Sequence, residues 1–149
     1  MLGYYREYWR SGLQSYVRLA GCVITDDQDR VLLLHRNTAK LKQWEIPGGK
    51  LDPGEDERMT AARELREEMG IEVRLERHLG SRSFIEDGRT MMYTWFLATI
   101  ASGTPSVREH DIHDRWEFVK FADLAGMADE LSPNTRNLVE EIAGGRISL

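Results

Sequence analysis

Three closely spaced glutamates have the residue type and spacing of a metal site. Glu64, Glu67 and Glu68 lie in the run 55–69, which contains no proline or glycine. This run predicts a helix that ends at Gly70, a residue type that commonly caps helix C-termini. At about 100° per residue, the three carboxylates fall within an arc of about 100° on such a helix. The sequence therefore predicts a helix with one carboxylate-rich face.

The clustered negative charge needs a neutralising partner. Glu64 and Glu68 are four residues apart, and such a like-charge pair destabilises an isolated helix by roughly 0.2–0.5 kcal/mol. Either the face is solvated and balanced by Arg63 and Arg66, or it binds a hard divalent cation such as Mg²⁺ or Mn²⁺, which prefers oxygen ligands. The opposite face is apolar and is predicted to pack into the core; its residues are Met59, Ala62, Leu65 and Met69.

The segment around these glutamates matches a known pattern at every defining position. The matching residues are Gly49, Glu55, Arg63-Glu64-Leu65, Glu67-Glu68 and Gly70-Ile71. This pattern is the Nudix box, and the chain resembles the Nudix hydrolases, in particular their MutT-like members. The resemblance implies hydrolysis of a nucleoside diphosphate that is linked to another group, with Mg²⁺ or Mn²⁺ as the cofactor.

The resemblance also assigns roles to single residues of the box. It implies that the metal ligands are Glu64, Glu67, Glu68 and the Gly49 carbonyl, and that Glu64 or one of its partners acts as the catalytic base. Arg63 and Glu55 are implied to orient these carboxylates through hydrogen bonds. Gly48 is expected to contact the substrate, because a residue without a Cβ allows the backbone to approach a phosphate closely.

A further carboxylate from outside the box is expected, and several residues compete for this role. Glu117, at the start of a predicted strand, is at the position where MutT-like members carry such a glutamate. Glu109, Asp111 and Asp114, on the preceding charged loop, are the alternatives. His110 and His113 lie on the same loop and are predicted to be solvated, although histidine is also a metal ligand.

Asn134 is the candidate for base recognition. Ser132-Pro133-Asn134 resembles the segment of MutT-like enzymes whose asparagine reads the edge of a purine, since an amide both donates and accepts hydrogen bonds. The alternative is that Asn134 merely starts the last helix. Trp44, Phe84 and Trp95 are large enough to stack on a base, but aromatic residues in strands more often belong to the core.

The substrate is predicted by elimination. No proline lies between Pro53 and Pro105, so the proline after the box that is typical of ADP-ribose hydrolysing relatives is absent, as is the signature of coenzyme A hydrolysing relatives. The expected substrate is a nucleoside triphosphate, including an oxidised or non-standard one, cleaved to the monophosphate and pyrophosphate. Alternatives are a nucleotide sugar, a dinucleoside polyphosphate, and a non-catalytic module that senses nucleotides.

The elements that would position these residues alternate between strands and helices. Residues 16–25 and 30–36 are rich in Val, Leu and Ile and predict a β-hairpin. Strands are also predicted at 71–79, 90–100 and 116–121, with a turn at 86–88, and Pro133 opens a helix that runs to 142. These elements predict one α/β domain over residues 1–149 with a mixed β-sheet, and the resemblance implies an α/β/α sandwich.

Composition limits the partners and the compartment. With a net charge of −5 across 149 residues, tight unspecific nucleic-acid binding is not expected, and no apolar run is long enough for a membrane helix. The single Cys22 excludes an internal disulfide and is compatible with the cytoplasm, the expected location. The aromatic segment 3–9 is predicted to be a short helix that covers a sheet edge; a homodimer contact and a lid over a ligand are the alternatives.

Overall fold

The computed structural model describes residues 16–149, and the predicted helix at 3–9 lies outside them. The described residues form seven strands: β1 (Tyr16–Ile24), β2 (Arg30–Asn37), β3 (Lys42–Glu45), β4 (Gly48–Lys50), β5 (Glu72–Glu86), β6 (Arg89–Ser102) and β7 (His113–Lys120). The helices are α1 (Glu57–Met69), α2 (Phe121–Leu124) and α3 (Pro133–Ala143), and a 3₁₀ helix (Ala125–Glu130) follows α2. In this part of the chain no helix has the length and apolar character needed to cross a bilayer.

The strands form two sheets, in the orders β4-β1-β6-β5 and β3-β2-β7. The first sheet is mixed, because β1 runs parallel to β6 and antiparallel to β4. β5 and β6 form a long hairpin, whose turn contains Asp87 (φ 50°) and Gly88 (φ 73°) at the predicted position. Helix α1 packs on one apolar cluster and α3 on a second cluster. The predicted α/β/α sandwich with a mixed sheet is therefore confirmed.

The predicted hairpin between β1 and β2 is wrong, although the turn between them is present. Asp26 Oδ1 accepts hydrogen bonds from the backbone N–H groups of Gln28 and Arg30, each at 3.0 Å. Beyond an isolated bridge between Thr25 and Val31, the two strands belong to different sheets. A strand has two edges, and those of β1 are paired with β4 and β6, while those of β2 are paired with β3 and β7.

Helix α1 begins two residues later than predicted and turns a different face to the core. Asp56 caps it, because its Oδ1 accepts a hydrogen bond from Met59 N at 2.8 Å. Gly70 ends it in the left-handed conformation (φ 67°), as predicted. Met59 is 54% exposed, against the prediction. The buried residues are Thr60, Ala61, Leu65, Glu68 and Met69, so the core side of the helix includes one of the three glutamates.

Candidate active site

Gly48 and Gly49, on strand β4, lie directly against the carboxylates of α1. The Gly48 backbone N–H donates a hydrogen bond to Glu68 Oε1 at 2.8 Å. A Cβ added to Gly49 would overlap the Glu64 carboxylate. β4 is held in this place by antiparallel pairing with β1. The two glycines therefore allow a backbone segment and two carboxylates to occupy the same small space.

Arg63 connects four carboxylate-bearing or carbonyl groups of the box. Its Nε and Nη2 atoms bind both oxygens of Glu55, at 2.8 and 2.9 Å. Its Nη1 donates to Glu64 Oε1 at 3.1 Å and to Glu67 Oε2 at 2.9 Å, and Nη2 also donates to the Lys50 carbonyl oxygen. Arg63 thus holds Glu64 and Glu67 near strand β4.

Glu55 is an anchor for Arg63. The hydrogen bonds from Arg63 lower the pKa of Glu55 to about 2, against the opposing effect of burial. Glu55 also accepts hydrogen bonds from Thr60 Oγ1 and from the Asp52 backbone N–H. Both of its oxygens are therefore engaged by protein groups, which fits a residue that orients its neighbours.

The three glutamates on helix α1, namely Glu64, Glu67 and Glu68, differ in their surroundings. The Glu67 side chain is 51% exposed. Burial raises the pKa of Glu64, and the negative charge of Glu67 raises it further, whereas the positive charge of Arg63 acts to lower it. Burial raises the pKa of Glu68 well above its ordinary value, and the charges of Glu64, Glu45 and Glu109 act in the same direction. The site therefore concentrates negative charge that a cation would stabilise.

The loop after β6 and the first residue of β7 add two ligand-type side chains, Glu109 and His113, to this group. The loop runs along the end of α1, where Ser106 N donates to the Met69 carbonyl and Arg108 N to the Glu68 carbonyl, each at 3.1 Å. A tight turn follows, in which His113 N donates to the Glu109 carbonyl at 2.9 Å. Potential ligand atoms of Glu68, Glu109 and His113 lie within 4.8 Å of one another.

The expectation that His113 is solvated is wrong, because its side chain is 1% exposed; His110 is exposed. β7 begins at His113, which pairs with Arg36, rather than at Trp116 as predicted. Glu109 and His113 are four residues apart, a spacing that a single tight turn can bring together. This spacing is the sequence feature from which their proximity could have been predicted.

Glu117 does not belong to the group of ligand-type side chains formed by Glu68, Glu109 and His113. It lies on β7 opposite Leu33 and is exposed, about 13 Å along the strand from His113 at some 3.3 Å per residue. Glu109 lies near Glu68 and His113 instead, because the loop that carries Glu109 is bound to the end of α1. Asp114 is engaged elsewhere, with its carboxylate oxygens bonded to His35 Nδ1 at 2.7 Å and Asn37 Nδ2 at 2.9 Å. Asp111 is exposed.

A cleft of about 420 Å³ opens beside β4. Gly48, Gly49 and Lys50 line it next to the box, and Phe84 and Asn134 also line it. Leu41 contributes apolar surface, and Arg36, Glu45, Glu86 and Asp87 contribute charge. The cleft therefore joins the carboxylate cluster to a region with the apolar and amide groups that a nucleobase needs.

Asn134 is buried at the cleft and is held by the core. Its Oδ1 accepts a hydrogen bond from Trp95 Nε1 at 2.7 Å. The cap of α3 is Ser132, whose Oγ accepts from Thr135 N, so Asn134 does not cap the helix. Trp44 and Trp95 are buried in the core, at 7% and 0% exposed. Of the three aromatic candidates, Phe84 is the one that lines the cleft.

Comparisons with known proteins agree with this geometry. A family model, the NUDIX domain, matches residues 15–142. A CMP-5'-(N-acetyl-N-hydroxy-3-aminopropyl)phosphonate hydrolase of Streptomyces rubellomurinus is 44% identical over 69 residues, covering 43% of this chain and 34% of the relative. A CTP pyrophosphohydrolase of Escherichia coli is 34% identical over 88 residues, covering 56% of this chain and 64% of the relative. The matched stretches thus span less than two thirds of either relative.

The fold is also found in solved structures. The MutT protein from Methanosarcina mazei Go1 superposes with a TM-score of 0.78 at 22% identity, covering 89% of this chain and 96% of that chain. At this identity the likeness concerns the fold. The family model covers nearly all of the described residues, including the complete box and the strands that position it. The chain therefore belongs to the NUDIX family.

Proposed function

We propose that this protein hydrolyses a nucleoside diphosphate linked to another group, specifically a nucleoside triphosphate to its monophosphate and pyrophosphate. One observation carries the proposal: Glu64 and Glu68 lie against Gly49 and Gly48, and these two glycines line a cleft that Asn134 also lines. A diphosphate bridge is inert because its negative charge repels an attacking water. Catalysis therefore requires positive charge at the bridge and a group that accepts a proton.

The residues of the box fit a divalent cation, Mg²⁺ or Mn²⁺. Glu64, Glu67, Glu68 and the Gly49 carbonyl are the oxygen donors that would hold it, joined by Glu109. The fit is supported by the crowding of carboxylates, because burial, together with neighbouring negative charges, raises the pKa values of Glu64 and Glu68. When bound, such a cation neutralises phosphate oxygens and lowers the pKa of water.

The chain's own residues supply the proton acceptor and the positioning. A water oxygen forms a bond to one phosphorus of the bridge, the bridging P–O bond breaks, and the water proton passes to Glu64. The bridging oxygen leaves with the departing phosphate group. Arg63, anchored by Glu55, fixes the direction of the Glu64 carboxylate. Lys50 and Arg36 line the cleft and provide positive charge for the phosphates.

Base recognition is assigned to the part of the cleft that contains Phe84 and Asn134. Phe84 offers an apolar surface for stacking, and the Asn134 amide offers hydrogen bonds to a base edge. The resemblance to MutT-like enzymes favours a purine, including an oxidised one. The names of the two relatives carry CMP and CTP, so a cytidine nucleotide is a necessary member of any substrate panel.

The test is a screen of nucleotides with Mg²⁺ and with Mn²⁺, in which released monophosphate, pyrophosphate and orthophosphate are measured separately. The panel contains the common and 8-oxo nucleoside triphosphates, a nucleotide sugar and a dinucleoside polyphosphate. We expect pyrophosphate from a triphosphate, and no product in the presence of a chelator. Turnover that survives the chelator contradicts the proposal, and so does nucleotide binding without turnover across the whole panel.

A further inference from the structure

His113 is a buried imidazole whose hydrogen-bonding groups are poorly satisfied. Its side chain is 1% exposed, and its Nδ1 has no hydrogen-bond partner in the described structure. Its Nε2 lies 3.4 Å from Glu45 Oε1 and 3.8 Å from Glu68 Oε2. Charge-assisted hydrogen bonds are normally about 2.7–2.9 Å long. The Nε2 atom therefore makes one long hydrogen bond to Glu45 and none to Glu68.

Backbone contacts fix the groups around this imidazole. The N–H of His113 and that of Ile112 both bond to the Glu109 carbonyl, which places the Glu109 and His113 side chains on one tight turn. Glu68 is held from the other side by its hydrogen bond from Gly48 N. Potential ligand atoms of Glu68, Glu109 and His113 lie within 4.8 Å of one another. In an octahedral site with bonds of about 2.1 Å, ligand atoms lie about 3 to 4.2 Å apart, so small side-chain rotations suffice.

We propose that Glu68, Glu109 and His113 form a mixed nitrogen and oxygen site for a divalent transition-metal ion, with Mn²⁺ as the probe. Imidazole nitrogen binds ions such as Mn²⁺, Co²⁺ and Zn²⁺ more strongly than Mg²⁺, which prefers oxygen alone. The inference rests on the proposed function, because Glu68 belongs to its metal centre, and it adds a nitrogen donor and therefore a preference among metals. The competing interpretation is that His113 is only an ion-pair partner of Glu45 and Glu68.

The direct test is pulsed electron paramagnetic resonance on the full-length protein with one equivalent of Mn²⁺. A directly bound imidazole gives nitrogen modulation of the electron spin echo. We expect this modulation in the wild type and a change in its pattern when the histidines carry ¹⁵N. No nitrogen modulation in the wild type overturns the proposal, and this result does not depend on whether any variant folds.

His113→Gln identifies the histidine, and His110→Gln is the matched control three residues earlier in the chain, since His110 is exposed. We expect the modulation to disappear in His113→Gln and to persist in His110→Gln. In calorimetric titrations, Mn²⁺ should bind His113→Gln at least about tenfold more weakly than the wild type, while Mg²⁺ affinity changes much less. Retained modulation, or equal losses for both metals, overturns the proposal in favour of the ion pair.

The proposed function can fail independently. If the protein shows nitrogen modulation but cleaves no member of the nucleotide panel, the proposed metal site is supported and the proposed hydrolase activity is contradicted. If the protein cleaves a nucleotide but shows no nitrogen modulation, the proposed hydrolase activity is supported and the proposed role of His113 as a metal ligand is contradicted.

Discussion

The indole N–H of Trp95 donates a 2.7 Å hydrogen bond to Oδ1 of Asn134, at the wall of the cleft. An indole N–H is a donor only, so it fixes which end of the Asn134 amide faces the core. The Asn134 carbonyl oxygen accepts the hydrogen bond from Trp95. The Asn134 NH₂ group has no hydrogen-bond partner in the described structure and can donate to a ligand. A base read by Asn134 must therefore present an acceptor, such as a ring carbonyl or an unprotonated ring nitrogen.

Asn134→Ala should change the ranking of bases. Loss of one or two hydrogen bonds in a desolvated pocket costs about 1 to 3 kcal/mol, or roughly ten- to more than hundredfold in selectivity. The measurement is relative turnover on guanine, adenine and pyrimidine nucleotides, together with the thermal midpoint. Asn137→Ala is the control, because Asn137 lies on the same helix and bonds the Ser83 carbonyl. An unchanged ranking in Asn134→Ala would remove the base-reading role, even if stability falls.

Glu67→Gln and Glu68→Gln should each reduce turnover by at least about a hundredfold and leave the protein folded. Folding is preserved because Glu67 is half exposed and because a glutamine at position 68 can still accept the hydrogen bond from Gly48 N. Steady-state kinetics measures the turnover, and circular dichroism checks that each variant is folded. Glu72→Gln, an exposed carboxylate beside Arg66, serves as the control. Near-normal turnover in both box variants would contradict a role for the box in catalysis.

Gly49→Ala should lower turnover by about a hundredfold, because the added methyl group overlaps the Glu64 carboxylate and displaces it. Gly126→Ala is the matched control, since a Cβ there meets no atom within 4 Å. Kinetics and the thermal midpoint of both variants are compared with the wild type. If Gly49→Ala has wild-type kinetics, the close approach of β4 to Glu64 has no part in the reaction.

Glu55→Gln should destabilise the protein by about 1 to 3 kcal/mol at neutral pH, because the hydrogen bonds of Glu55 to the Arg63 guanidinium lose their charge. The pKa of Glu55 is about 2 in the folded protein, below its ordinary value of 4.5. The unfolded state therefore binds more protons between these values, and the stabilisation is complete above pH 4.5 and is lost as the pH falls towards 2.

Urea unfolding of wild type and Glu55→Gln at pH 7 and near pH 3 checks this prediction. The difference in free energy of unfolding should shrink at the lower pH. A difference that is equal at both pH values would show that Glu55 acts through packing rather than charge.

Features that depend on neighbouring residues could be predicted from the amino-acid sequence. The spacing of Glu64, Glu67 and Glu68, the helix that carries them and its end at Gly70 all follow from contacts within one or two turns. The box is contiguous, so its family and its approximate geometry could be predicted. The α/β/α layers followed from the same resemblance and the alternation of elements.

The distant segments that contact one another are known only from the folded chain. Strand edges pair with whichever strand the whole fold offers, so β1 and β2 separate into different sheets despite the turn between them. The loop after β6 binds the end of α1, and this contact brings Glu109 and His113, but not Glu117, next to Glu68. The packing of α1 against the core places Glu68 inside. These outcomes depend on contacts between residues far apart in the chain, and such contacts leave no local pattern in the sequence.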